Sequence, residues 1–163
     1  MSEFRAIFDL GLLEFPDWSE SEWFEKLATI PNTHYFDPDL NASNFPITTK
    51  GIQPGDKIQI LVFEQVKNET TTSNEREEFL KYREAFSLGV CGLILAINQR
   101  LDRLPRDNSW YVSQDSEENL FIAFVGHKVP RFCVHSNDKI IVDLGYLNFH
   151  FDKRQKFIGF RRL

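Results

Sequence analysis

The sequence predicts a single α+β domain over residues 1–163, in which a curved antiparallel sheet packs around one long helix. Three patterns point there. Phe79, Tyr82, Phe86, Val90, Leu93, Ile97, Leu101 and Leu104 recur at steps of three or four, the spacing that keeps side chains on one helix face. Ala85, Gly89, Gly92 and Ala96 form a narrower stripe of small residues beside them, where a neighbouring element can approach closely. After Pro105 the period drops to two, and short apolar runs alternate with turn residues. The expected sheet is a C-terminal meander of about five or six strands plus strand 57–65. It surrounds a helix at about 75–104, and a short N-terminal helix lies at about 20–28.

In chain order, a strand is expected first at Arg5–Leu10. Ser19 and Glu22 then make a capping box, and Trp18 and Trp23 take the two positions of a hydrophobic staple. A helix therefore starts at Glu20 and ends before Pro31. Pro31, Pro38, Pro46 and Pro54 make 31–55 one long connection, pinned by Tyr35, Phe36, Leu40, Phe45 and Ile47. Lys57–Gln65 is a strand, apolar on both faces at Leu61–Phe63, which suits a central position.

Ser73 or Asn74 is the expected N-cap of the long helix. Glu75, Glu77 and Glu78 fill its first turn and Arg100 and Arg103 its last, matching the macrodipole. Some thirty residues would span about 45 Å, so Gly89 and Gly92 mark where such a rod would break. Strands then follow at 110–113, 120–125, 131–135, 139–143, 147–151 and 156–161, with turns between them, including 126–130.

Sixteen Phe against one Met call for a core of rigid rings. The net charge of −5 argues against a general nucleic-acid binder. Charge is polarised, −9 over residues 1–80 and +4 over 81–163, so the acidic front is expected to pack on the basic back. Cys91 and Cys133 read as buried thiols of a reducing compartment. The first residues carry no basic leader, and the apolar run Ala85–Ile97 is shorter than the roughly 20 residues of a membrane span. A cytoplasmic protein without membrane contact or cofactor is expected.

Several constellations carry residue types suited to chemistry. Cys133-x-His135 and His150-x-Asp152 have ligand types for zinc. The intervening strand would hold them about 10 Å apart, so no metal is expected, Cys133 and His135 being the candidate ligands. Asp37-x-Asp39-x-Asn41 opens like a calcium loop but continues with Ala42 and Thr48 where glycine and glutamate are needed, so turn formation is the expected role. His127 or His135 could act as a general base oriented by Asp143, although no nucleophile motif accompanies them. Lys153, Arg154, Lys156, Arg161 and Arg162 interleave with Phe157 and Phe160, a pattern that can bind single-stranded nucleic acid.

The function expected is a non-catalytic intracellular binding domain of unassigned specificity. It would use the sheet face around His127, Arg131 and His150, or a basic C-terminal edge with Lys156 and Arg161. A protein partner or self-association fits it. The alternatives are a small hydrolase using His127 or His135 with Asp143, and a single-stranded nucleic-acid module using the tail.

Overall fold

The computed structural model describes residues 4–66, 71–115, 121–123, 126–146 and 155–163, with the backbone alone for 121–123, 126–129 and 146. Its elements are β1 (Phe4–Glu14), α1 (Glu20–Ala28), β2 (Thr33–Phe36), β3 (Lys57–Gln65), α2 (Ser73–Tyr82) and α3 (Gly89–Arg100), which runs into a 3-10 turn at Leu101–Arg103. They continue with β4 (Trp110–Val112), β5 (Phe121–Ala123), β6 (Gly126–Val134), β7 (Ile140–Tyr146) and β8 (Gln155–Arg162).

Local chemistry places the N-terminal helix as expected. Ser19 Oγ accepts the Glu22 amide, Glu22 accepts the Ser19 amide, and the Trp18 and Trp23 rings meet edge-on at 4.9 Å. The same device sets the start of α2 one residue before the caps read from sequence: Thr72 and Glu75 form its capping box. β1 runs four residues past Leu10, because Gly11 at φ +85° forms a bulge that lets pairing with β3 resume. Arg100 and Arg103 then donate to the Leu10 carbonyl at 3.0 and 2.7 Å, occupying part of the free edge of this outer strand.

The sheet is mixed, not antiparallel. Its order is β1-β3-β8-β4-β6-β7-β2, with β5 joined to β6 off that path. β4 runs parallel to β8, and β2 runs parallel to β7. Three expectations fail here. The connection 31–55 contains a strand, Thr33–Phe36, which short-range patterning hid. The last strand does not close a meander but inserts between β3 and β4, so the C-terminus is interior to the sheet rather than at its edge. The segment 126–130 is also strand, not turn; Ala123 already faces Gly126 across the β5–β6 pair. The expected strand 147–151 lies outside the described residues.

The long rod is two helices. Ile58, Ile60 and Val62 of β3 join the larger core with α3, while Leu61 and Phe63 join a second cluster with Phe79 and Leu80 of α2. Alternate residues of one strand face opposite ways, so α3 and α2 lie on opposite sides of the sheet. The connection 83–88 crosses between them, with Glu84 at φ +54° turning the chain. On the α3 side, α1 and Leu40, Phe45 and Ile52 of the long connection cover the helix, and every residue from Gly89 to Ile97 is buried. The small-residue stripe holds only in part: Ala85 lies in the connection and packs with the α2 cluster, whereas a Cβ on Gly92 would stand 2.6 Å from the Phe160 ring and 2.8 Å from Ser113 Oγ.

Candidate binding face

Among the described residues, the α2 side of the sheet is covered over only part of its width. α2 sits over β3, β8 and Val112 of β4. Beyond it, register aligns Tyr35, Ile141, Cys133, Trp110 and Gln155 in one row across five strands. Arg131 and Asp143 face each other in the next row. Tyr35 is 49% exposed, and Trp110, Ile141, Arg131 and Asp143 are partly exposed.

Arg131 organises this surface. Its Nε and Nη2 donate to Asp143 Oδ1 and Oδ2 at 2.7 and 3.3 Å, a two-pronged contact. The guanidinium carbon lies 4.1 Å from the centroid of the Trp110 ring. Gly145 leaves room for this side chain, since a Cβ there would be 3.1 Å from the Arg131 Cδ. Cys133 is sealed beneath. Burial pushes its thiol up to about 11, the Asp107 charge adds to that, and Arg131 opposes it. It is a poor nucleophile at neutral pH.

His135 does not meet Asp143. In register Asp143 faces Arg131, so His135 stands four residues farther along, about 13 Å at strand rise. The backbone of His127 lies the same distance the other way, and its side chain is outside the described residues. His135 and Asp143 are thus not brought together. His135 Nε2 is buried without a hydrogen-bond partner. His150 and Asp152 lie outside the described residues. Among the described residues no group of three His, Cys, Asp or Glu side chains is arranged to hold a metal.

The described basic residues of the tail are engaged within the fold, and Lys153 and Arg154 lie outside the described residues. Lys156 is buried, with Nζ donating to Ser109 Oγ at 2.6 Å. Arg161 donates to the Arg83 carbonyl at 2.7 Å, and Arg162 to Asp56 and the Gly51 carbonyl at 2.9 Å each. Phe157 and Phe160 are both in the core. Asp37 and Asn41 accept the amides of Asp39 and Ser43 at 2.9 and 3.0 Å, as turn formers do.

Sequence reasoning missed a buried polar joint where 83–88 crosses the sheet. Arg76 is fully buried; Nε donates to Gln114 Oε1 at 2.8 Å and Nη1 to the Thr71 carbonyl at 2.9 Å. Burial draws its pKa down to about 10, which still leaves it charged at neutral pH. Gln114 and Ser87 both donate to Glu77 Oε1, at 2.7 and 2.6 Å. Lys50 donates to the Ser87 carbonyl at 2.6 Å and pairs with Asp115 at 3.1 Å. These groups come from four distant segments and share no motif. The acid-rich first turn of α2 made Arg76 look like one more surface charge.

Three comparisons set this arrangement beside known proteins: no family model, no curated protein and no solved structure matches the chain.

Proposed function

We propose that the chain is a non-catalytic binding module that recognises a protein partner through the open part of the α2 side of its sheet. The carrying observation is the Trp110–Arg131–Asp143 stack, partly exposed, with Tyr35 and Ile141 beside it. Trp, Tyr and Arg dominate the energetics of protein interfaces. Here the conformations of Trp110 and Arg131 are held in advance by the ion pair and the ring contact, which lowers the ordering cost of binding. The reading drops the basic C-terminal edge, because Lys156, Arg161 and Arg162 are engaged within the fold. The nucleic-acid alternative loses support for the same reason, and the hydrolase built on His135 loses it because His135 and Asp143 stand apart.

The reading also puts the module in a reducing, cytoplasmic setting. It rests there on two unpaired thiols, Cys91 and Cys133, buried on opposite sides of the sheet. No helix among the described residues is long and apolar enough to cross a membrane.

The test is photo-crosslinking in cells. A benzophenone amino acid replaces Tyr35 in one variant and Lys81, exposed on α2, in another. A discrete protein adduct from position 35 alone, lost when Trp110→Ala and Arg131→Ala are added, is the expected result. An adduct to a second copy would identify self-association as the form of binding. Equal labelling from both positions, or none, would overturn the proposal.

A further inference from the structure

On the α3 side, where β4 meets β8, three polar groups are packed into the core. Tyr111 and Lys156 are register partners on the parallel pair, and Ser109, two residues before Tyr111, shares their face. Their exposures are 0% for Tyr111, 3% for Ser109 and 7% for Lys156. The Tyr111 ring stacks on Phe132 at 5.0 Å, which fixes where its hydroxyl points.

What these groups lack, among the described residues, is a charged acceptor. Lys156 carries three N–H donors, and Ser109 Oγ accepts one at 2.6 Å. Among the described residues no carboxylate pairs with it. The acid facing it across β3, Glu64, gives its Oε1 to Arg5 at 2.6 Å. Tyr111 Oη makes no hydrogen bond, although Ser109 stands beside it. Ser109 accepts from Lys156, so its own proton is free to donate. An ammonium and two hydroxyls are thus buried together with donors in excess. A buried charge without a counter-charge is costly, and a buried orphan donor signals a missing partner.

We propose that Lys156 Nζ, Ser109 Oγ and Tyr111 Oη form a binding site for a small monovalent anion of the halide class. One such ion supplies the acceptor for all three donors and neutralises the ammonium. No described side chain does both.

The test uses the full chain, freed of halide in sodium gluconate and titrated with sodium bromide at constant ionic strength. Thermal melting is followed in solution, and anomalous diffraction is recorded from bromide-soaked crystals. The expected result is a saturable rise in melting temperature and a bromide peak within hydrogen-bond reach of Lys156 Nζ and Tyr111 Oη. Tyr111→Phe removes one oxygen and is expected to raise the bromide midpoint about tenfold. Lys156→Met is expected to abolish the response and to melt higher than the wild type without bromide. If Lys156→Met does not fold, the Tyr111→Phe midpoint carries the decision. An unchanged midpoint in Tyr111→Phe, an identical response in Lys156→Met, or a water without anomalous signal at the site would refute the assignment.

Discussion

Phe86 and Phe160 exchange both backbone hydrogen bonds, each 2.8 Å, across the open edge of β8. β4 pairs with β8 only as far as Val112 and Phe157, so the rest of that edge is free to take another partner. The segment after α2 takes it. Gly89 then bonds to the Gln114 carbonyl at 2.9 Å on the other side, so 86–89 is wedged between β8 and the continuation of β4. This wedge passes the chain from one side of the sheet to the other and divides the apolar stripe into two helices.

Glu84 sits within that crossing at φ +54°, where a side chain is strained. Glu84→Gly is expected to stabilise the protein by up to about 1 kcal/mol in urea unfolding. A continuous helix would give the opposite sign by about the same amount, because glycine weakens a helix interior. The sign of the change in midpoint decides the matter.

Gly92 offers a second opposition between local and tertiary preference. Alanine is the better helix former by about 1 kcal/mol. Its Cβ would however stand 2.6 Å from the Phe160 ring and 2.8 Å from Ser113 Oγ. Gly92→Ala is expected to cost about 1–3 kcal/mol net, from the overpacking. A stabilised variant would show that α3 and β8 are not this close.

Arg76 ties α2 to the loop after β4. Arg76→Met leaves Gln114 Oε1 and the Thr71 carbonyl without this donor in a buried setting. A loss of about 2–4 kcal/mol is expected, with α2 amides exchanging faster than those of α3. Hydrogen exchange read helix by helix measures both. Equal protection in α2 before and after the change would contradict the role given to Arg76.

The buried thiols make stability fall at alkaline pH. Burial raises Cys91 from the ordinary 9.0 to about 12 and Cys133 to about 11. The unfolded chain therefore loses these protons first. The stability they contribute is complete below pH 9 and declines as pH rises through 11–12. For Cys91 the loss at pH 10 is about 1 kcal/mol. Cys91→Ala is expected to flatten the fall in urea midpoint between pH 8.5 and 10.5 relative to wild type. A slope unchanged by that substitution would show that Cys91 is reached by solvent in the folded state.

The residues that spoke plainly in the sequence are those whose partners lie within a few positions. Ser19, Glu22, Trp18 and Trp23 start α1 by contacts that span no more than five residues. The alternation in Lys57–Gln65 marked a strand apolar on both faces, and β3 is interior between β1 and β8. Gly92 of the small-residue stripe announced a close approach, which Phe160 makes. Cys91 and Cys133 have the sequence surroundings of buried thiols, and both are buried.

What the amino-acid order settled alone is thus local: where helices can begin, which strands are apolar, which residues pack closely. Tertiary structure decided the rest. An unbroken three-to-four spacing is satisfied equally by one rod and by two helices on opposite sides of a sheet. The choice falls to a free β8 edge some seventy residues away, whose backbone groups bond Phe86 rather than remain unpaired. The same holds for the candidate face: Trp110, Arg131 and Asp143 meet only because β4, β6 and β7 lie side by side in register. Hydrogen-bonded strand edges select their neighbours without regard to sequence distance, so that constellation leaves no motif in the chain.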